Sequence, residues 1–179
     1  VPDDLLPRIG VLTISDRASR GEYEDISGKA IHDFLGRVVA SNWTAVVRLV
    51  PDGTDSVAQA LIEMVEGDGC DLILTTGGTG PAPRDLTPEA TRMVVTRELE
   101  GFGELMRRVS LEQVPTAILS RQTAGTRGKC LIVNLPGRPS AIDICLSAVF
   151  PAIPYCLDLI GARRMEVNPD ACAAFRPAA

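Results

Sequence analysis

The chain has one histidine, His32, among 179 residues. A zinc site or a Ser-His-Asp triad would have to be built on that single imidazole. It falls inside the candidate helix SGKAIHDFLGRVV, where a structural role is the simpler account. Basic charge is also in short supply. Lys plus Arg number 18 against 23 Asp plus Glu, a formal charge of −5, which argues against a nucleic-acid partner because phosphate-backbone binders carry a basic face. None of the five cysteines forms a C-x-x-C pair, and an odd count sitting in apolar stretches reads as reduced thiols in a cytoplasmic protein. No long apolar run is free of breakers: Ile144–Ile160 contains Pro151, Pro154 and Asp158. It suits two buried helical pieces better than a membrane span. The N-terminal VPDDLLPR is acidic and holds two prolines, the opposite of a basic leader with an apolar core.

What is present is ordinary for a globular domain: 45% hydrophobic and 23% charged residues. The length favours one domain over 1–179, with a core large enough to need no disulfide or metal staple. Apolar runs alternate with amphipathic ones. Ile9–Ser15, Thr44–Val50 and Asp71–Thr76 read as buried strands, with helices at Ile26–Val39 and Asp55–Val65 between them. Thr87 reads as the N-cap of a helix over Pro88–Thr96, followed by a helix at Glu104–Glu112. Thr116–Ser120 and Cys130–Asn134 are expected to be strands, and Ser140–Ala148 a last strong helix. This order predicts an α/β fold, one doubly wound and mostly parallel sheet with helices on both faces.

Ligands of such sheets bind outside the carboxyl ends of the strands, so the residues just past each strand matter most. They are Ser15-Asp16-Arg17, then Pro51-Asp52-Gly53, then Thr75-Thr76-Gly77-Gly78-Thr79-Gly80 with PAPRD behind it, and Asn134-Leu135-Pro136-Gly137 with Ser140. Three glycines in four residues let backbone N–H groups converge on an anion. The loop is neither a Walker A motif, since Pro81 follows Gly80, nor a dinucleotide fingerprint, since Pro83 stands where the third glycine belongs. Asp52 and Asp85, just past strand ends in proline-stiffened loops, suit a hydrated Mg²⁺ shared with substrate phosphates. Turn formation is the alternative for each aspartate. Arg17, Arg84, Arg121, Arg127 and Lys129 lie in or near these loops as candidate phosphate donors, with surface solvation the other account.

Taken in order, TISDRAS, VPDG, LTTGGTGPAPRDLTPEAT, VPTAILSRQ and LIVNLPGRPSA resemble the molybdopterin adenylyltransferases of molybdenum-cofactor biosynthesis, the stand-alone bacterial type related to the gephyrin G domain. The resemblance runs from about Arg8 to Gly161. It implies transfer of AMP from ATP to the terminal phosphate of molybdopterin, with Mg²⁺ as cofactor and pyrophosphate released. It places the family's two catalytic aspartates on Asp52 and Asp85. Contacts to the pterin phosphate fall on Thr79, Ser110, Ser120 and Asn134, and further pocket positions on Asp16, Thr76, Gly77, Gly78, Gly80, Pro136 and Gly137. It also implies a homotrimer and a downstream metal-insertion enzyme. A non-catalytic molybdopterin carrier for that enzyme is the alternative, and retention of both aspartates favours the enzyme.

Overall fold

The computed structural model describes residues 5–178; the acidic start of the chain at 1–4 and the last residue of the 1–179 span lie outside the described residues. Six strands form one sheet: β1 (Arg8–Ile14), β2 (Thr44–Val50), β3 (Leu72–Thr76), β4 (Arg97–Glu98), β5 (Ala124–Arg127) and β6 (Cys130–Leu135). Their order is β2-β1-β3-β6-β5-β4. β2, β1, β3 and β6 run parallel, whereas β5 is antiparallel to β6 and β4 antiparallel to β5. Seven helices accompany them among the described residues: α1 (Asp16–Ser19), α2 (Ile26–Val38), α3 (Thr54–Ile62), α4 (Thr87–Val94), α5 (Glu100–Leu111), α6 (Pro139–Val149) and α7 (Ile153–Ile160).

Strand side chains alternate between two cores, which is why the strands read as unbroken apolar runs. Ile9, Val11, Leu72, Leu74, Leu131 and Val133 pack against α2, α5, α6 and α7. Leu12, Ile14, Ile73 and Ile132 face α3 and α4. Each such side chain, fully buried, stabilises the fold by about 1.5–3 kcal/mol. The chain leaves β1 for β2 on one side and returns to β3 on the other. The carboxyl ends of β1 and β3 are therefore the point where crossovers diverge and a crevice opens.

Several expectations need correction. Pro115–Leu119 is a 3-10 turn without a buried residue, not a strand; Pro115 opens it as a first-turn proline and has no N–H to give a sheet. Thr87 is the first residue of α4 rather than its cap; its hydroxyl donates to the Gly77 carbonyl at 2.9 Å. The last turn of α3 widens into a π turn over Glu63–Gly67. α5 begins at Glu100, a full turn before the expected Glu104. The apolar tract after Pro139 does break at its prolines, into α6, a 3-10 joint at Phe150–Ala152 and α7. As one helical stretch it is long and apolar enough to cross a membrane, yet Ile142, Cys145, Leu146, Phe150, Ile153 and Leu157 lie within the core.

Candidate active site

Two acidic strand ends are laced together where β1 and β2 finish. Ser15 caps α1 by accepting from the Ala18 N–H at 3.2 Å, which aims the start of that helix at the neighbouring loop. The Asp16 N–H donates to Asp52 Oδ2 at 2.8 Å, and the Asp52 N–H donates to Asp16 Oδ1 at 3.1 Å. Arg84 completes the lacing. Its Nε and Nη2 reach the two Asp16 oxygens at 2.6 and 2.9 Å, and Nη2 also donates to the Asp52 carbonyl at 2.8 Å.

The glycine loop lies against this pair. Gly77 has φ 99° and Gly78 φ 64°, backbone that side chains rarely adopt. A Cβ on Gly77 would collide with the Ile14 carbonyl, and one on Gly78 would collide with Thr87 Oγ1 and sit 3.3 Å from Asp52 Oδ1. One on Gly80 would sit 2.8 Å from Asp85 Oδ2. The loop is thus flanked by both aspartates. Asp85 closes its own turn, its Oδ2 accepting from the Ala82 N–H at 3.2 Å. Arg121 fastens the far side of the loop: its Nε donates to the Gly80 carbonyl at 2.9 Å, and its guanidinium pairs with Glu89.

The two arginines are therefore structural clamps in this geometry. Asp16, held by Arg84, has its carboxyl below the usual range. Asp52 moves the other way. Burial raises its pKa, the like charges of Asp16 and Asp85 add to the rise, and the hydrogen bond from Asp16 opposes it. A half-buried carboxylate lifted by desolvation and by its neighbours' charge is one that a cation would relieve. Asp52 Oδ1 and Asp85 Oδ1 accept no hydrogen bond among the described residues, so each leaves a hard oxygen open. No cluster of three or more His, Cys, Asp or Glu among the described residues could hold a metal alone. The donor set suits a divalent cation that completes its shell with waters and substrate phosphates.

Beside the loop opens a cleft of about 380 Å³, in the size range of small-molecule sites. Thr79, Gly80, Ser110, Ser120, Pro136 and Gly137 line it, so six of the pocket residues expected from the sequence come together there. Thr76 does not line it; its hydroxyl is tied to the Pro136 carbonyl at 2.8 Å, joining the ends of β3 and β6. Asn134 does not either. Strand parity turns its side chain to the opposite face, where it is 0% exposed and donates to Thr75 and Thr91 at 3.1 and 2.9 Å. Asp16, Gly77 and Gly78 belong to the carboxylate side. Arg127 and Lys129 are misplaced as rim donors: they belong to the β5–β6 hairpin at the amino end of β6, where Arg127 pairs with Glu66. Arg17 stays exposed at the rim, over the Tyr23 ring.

Sequence reading missed Arg107, Gln122 and Arg138, which also line the cleft. Gln122 could have been suspected from its place directly after LSR, but nothing in the pattern of α5 singles out Arg107. A larger apolar cleft of about 740 Å³ between α5 and the α6–α7 joint, bordered by Phe102, Tyr155 and Phe175, holds none of the rim residues.

The chain matches the family described as a probable molybdopterin binding domain over residues 10–155. It is 57% identical over 169 residues to a Helicobacter pylori protein named molybdopterin adenylyltransferase, across 94% of this chain and 96% of that one. A protein of the same name from Escherichia coli is 44% identical over 182 residues, across 95% and 93%. Among solved structures, the molybdopterin biosynthesis enzyme MoaB of Thermus thermophilus superposes with a TM-score of 0.79 at 46% identity, over 87% of this chain and 96% of that chain.

Proposed function

Since the chain belongs to the molybdopterin-binding domain family, we propose that it is a molybdopterin adenylyltransferase, moving AMP from ATP to the terminal phosphate of molybdopterin and releasing pyrophosphate. An oxygen of the acceptor phosphate attacks the α-phosphorus of ATP, and the bond from that phosphorus to the bridging oxygen of the leaving pyrophosphate breaks. The acceptor oxygen is already ionised near neutral pH, since the second pKa of such a phosphate is about 6, so no side chain need act as general base. What the protein supplies is alignment and charge.

The observation that carries this reading is the position of the glycine loop between two unlike surfaces. Asp52 and Asp85 flank it on one side, and the hydroxyl-lined cleft opens on the other. In this proposal the loop's backbone N–H groups receive the triphosphate, and Asp52 and Asp85 are the residues that would hold Mg²⁺ beside it. The ion would supply charge neutralisation for the triphosphate and the leaving pyrophosphate. Thr79, Ser110 and Ser120 orient the acceptor phosphate from the cleft. Asp16 and Arg84 keep Asp52 in place, and Asn134 acts from beneath, by fixing Thr75 and Thr91, rather than by contact.

We extend the proposal to one functional domain over 1–179, a homotrimer, and delivery of the product to a metal-insertion enzyme. The exposed Val114, Ile118 and Leu119 beside the cleft support a protein contact there. Five free thiols fit a cytoplasmic location.

The decisive experiment measures pyrophosphate release from Mg-ATP, with and without molybdopterin, on the wild type and on Asp52→Asn. Release that requires molybdopterin and vanishes in the variant is expected. Tight molybdopterin binding without pyrophosphate would overturn the enzyme in favour of a carrier.

A further inference from the structure

Two side chains that face the cleft, Ser120 and Arg107, bond one buried residue, Gln122, which is 3% exposed, and a third, Ser110, reaches it through Cys145. Gln122 Oε1 accepts the hydrogen bond of the Ser120 hydroxyl. Its Nε2 donates to Cys145 Sγ at 3.5 Å, and the same sulfur lies 3.5 Å from Ser110 Oγ. Its backbone carbonyl accepts from Arg107 Nη1 at 2.9 Å. Gly103, one turn earlier on α5, makes that last contact possible: a Cβ there would collide with the Gln122 carbonyl and press on the Arg107 guanidinium at 3.1 Å.

The arrangement holds a conflict that a bound anion must resolve. A serine hydroxyl has one proton. In this structure Ser120 gives it to Gln122, so it cannot also give it to a phosphate. If Ser120 simply turned to the ligand, the buried Oε1 would be left without a partner, an unfavourable state for a desolvated carbonyl. A primary amide has a way out, because its two ends are a donor and an acceptor of nearly the same shape. Turned over, Gln122 would donate from Nε2 to Ser120 Oγ and accept at Oε1 from the Cys145 S–H. The thiol can serve either polarity, and burial keeps it protonated.

We propose that Gln122 is a positioning residue for the acceptor phosphate, and that its amide reverses on binding so that Ser120 becomes a donor to the ligand while Cys145 becomes a donor to Gln122. The proposal rests on the reading that the cleft holds the acceptor. It explains why a glutamine is packed against a cysteine here: every group in the Ser120–Gln122–Cys145–Ser110 chain can both give and accept. Arg107, anchored on the same residue, presents its charge at the cleft.

The test uses steady-state kinetics with Mg-ATP and molybdopterin on the full chain. Gln122→Met keeps length and volume but neither amide group. It is expected to raise the KM for molybdopterin by about three- to tenfold, the loss of one hydrogen bond's net worth, while leaving the KM for Mg-ATP unmoved. The double variant with Ser120→Ala should be no worse than Ser120→Ala alone, because Gln122 acts through that hydroxyl. Gln122→Glu should bind worse than Gln122→Met at neutral pH, since an ionised carboxylate only accepts, and should recover as the pH falls and the carboxyl gains a proton. Additive effects of Gln122→Met and Ser120→Ala, or a pH-independent deficit in Gln122→Glu, would overturn the proposal. If Gln122→Met fails to fold, Cys145→Ala and Cys145→Ser carry the same question: the alanine should raise the KM and the serine restore it, and equal effects would count against the relay. Ser110→Ala and Ser120→Ala that both leave the KM unchanged would instead refute the cleft as the acceptor site, and the relay with it.

Discussion

Asp16 and Asp52 bond each other reciprocally, each backbone N–H donating to the other's carboxylate at 2.8 and 3.1 Å. Two residues 36 apart in sequence are thereby held as one unit across the ends of neighbouring strands. They nonetheless diverge in charge behaviour. Arg84 takes both oxygens of Asp16, whereas Asp52 keeps one oxygen open toward the glycine loop. The first is an anchor and the second is available for chemistry.

Asp52→Asn separates those roles through stability. Burial raises the Asp52 carboxyl above its ordinary 3.8. A raised folded-state pKa means that the folded protein holds the proton longer than the unfolded chain. Stability from this group is full below about pH 3.8 and is lost as pH rises through the folded value. The asparagine variant escapes that loss. Its melting temperature should match the wild type's near pH 3 and equal or exceed it near pH 7, while turnover falls to background. A variant that melts well below the wild type at neutral pH would show that the carboxylate is structural.

Arg84→Lys should damage activity far more than stability. The guanidinium makes three hydrogen bonds to Asp16 and Asp52 in a fixed fork, which a single ammonium cannot reproduce. Arg84 itself is exposed, and surface ion pairs add little to stability, so the melting temperature should hardly move. Loosening the seat of Asp52 should lower kcat by about ten- to a hundredfold, as misplacing a reacting group does. Parallel melting curves and kinetics would check this; unchanged kcat would show that Arg84 is not needed to hold Asp52.

Gly78→Ala and Gly36→Ala should move in opposite directions. Gly78 sits at φ 64° with Thr87 and Asp52 closing over the missing Cβ. The backbone alone costs about 1–2 kcal/mol, before the collision with Thr87 pushes the loop from its seat. Gly36 lies exposed in α2 with nothing within 4 Å of a Cβ, and alanine there should stabilise by about 0.5–1 kcal/mol. Urea unfolding with an unchanged slope reads both differences directly.

The fold was legible because buried parallel strands leave continuous apolar runs, and β1, β2, β3 and β6 were found within a residue or two. The rim was legible for a related reason: the chain must turn polar where such strands end, and TTGGTG needs its glycines where two of them have positive φ. Hydrogen bonding over distance was not legible. Whether Arg84 and Arg121 offer their charge to a ligand depends on Asp16 and Glu89, which are 68 and 32 residues away. The sequence around Thr116 has the apolar content of a strand, yet the segment opens on Pro115 as a 3-10 turn and buries no residue. Gln122 reaches Cys145 across 23 residues, a partnership no local pattern encodes.

Asn134 gives the sharpest contrast between resemblance and geometry. Resemblance puts it on the acceptor phosphate, but its side chain lies on the α4 face of the sheet, donating to Thr75 and Thr91. Its Oδ1 is the one buried side-chain polar atom without a partner among the described residues. A side chain so enclosed is expected to contribute through the threonines it fixes, Thr75 at the root of the glycine loop and Thr91 on α4. Asn134→Ala should therefore lower stability by about 1–3 kcal/mol, since it leaves two buried hydroxyls to find new partners. With the folded fraction taken into account, the KM for molybdopterin should stay within about twofold of the wild type, whereas Ser120→Ala should raise it by about three- to tenfold. A large KM effect in Asn134→Ala with an unchanged melting temperature would mean that β6 twists to present the amide to the ligand, and the assignment by strand parity would be wrong.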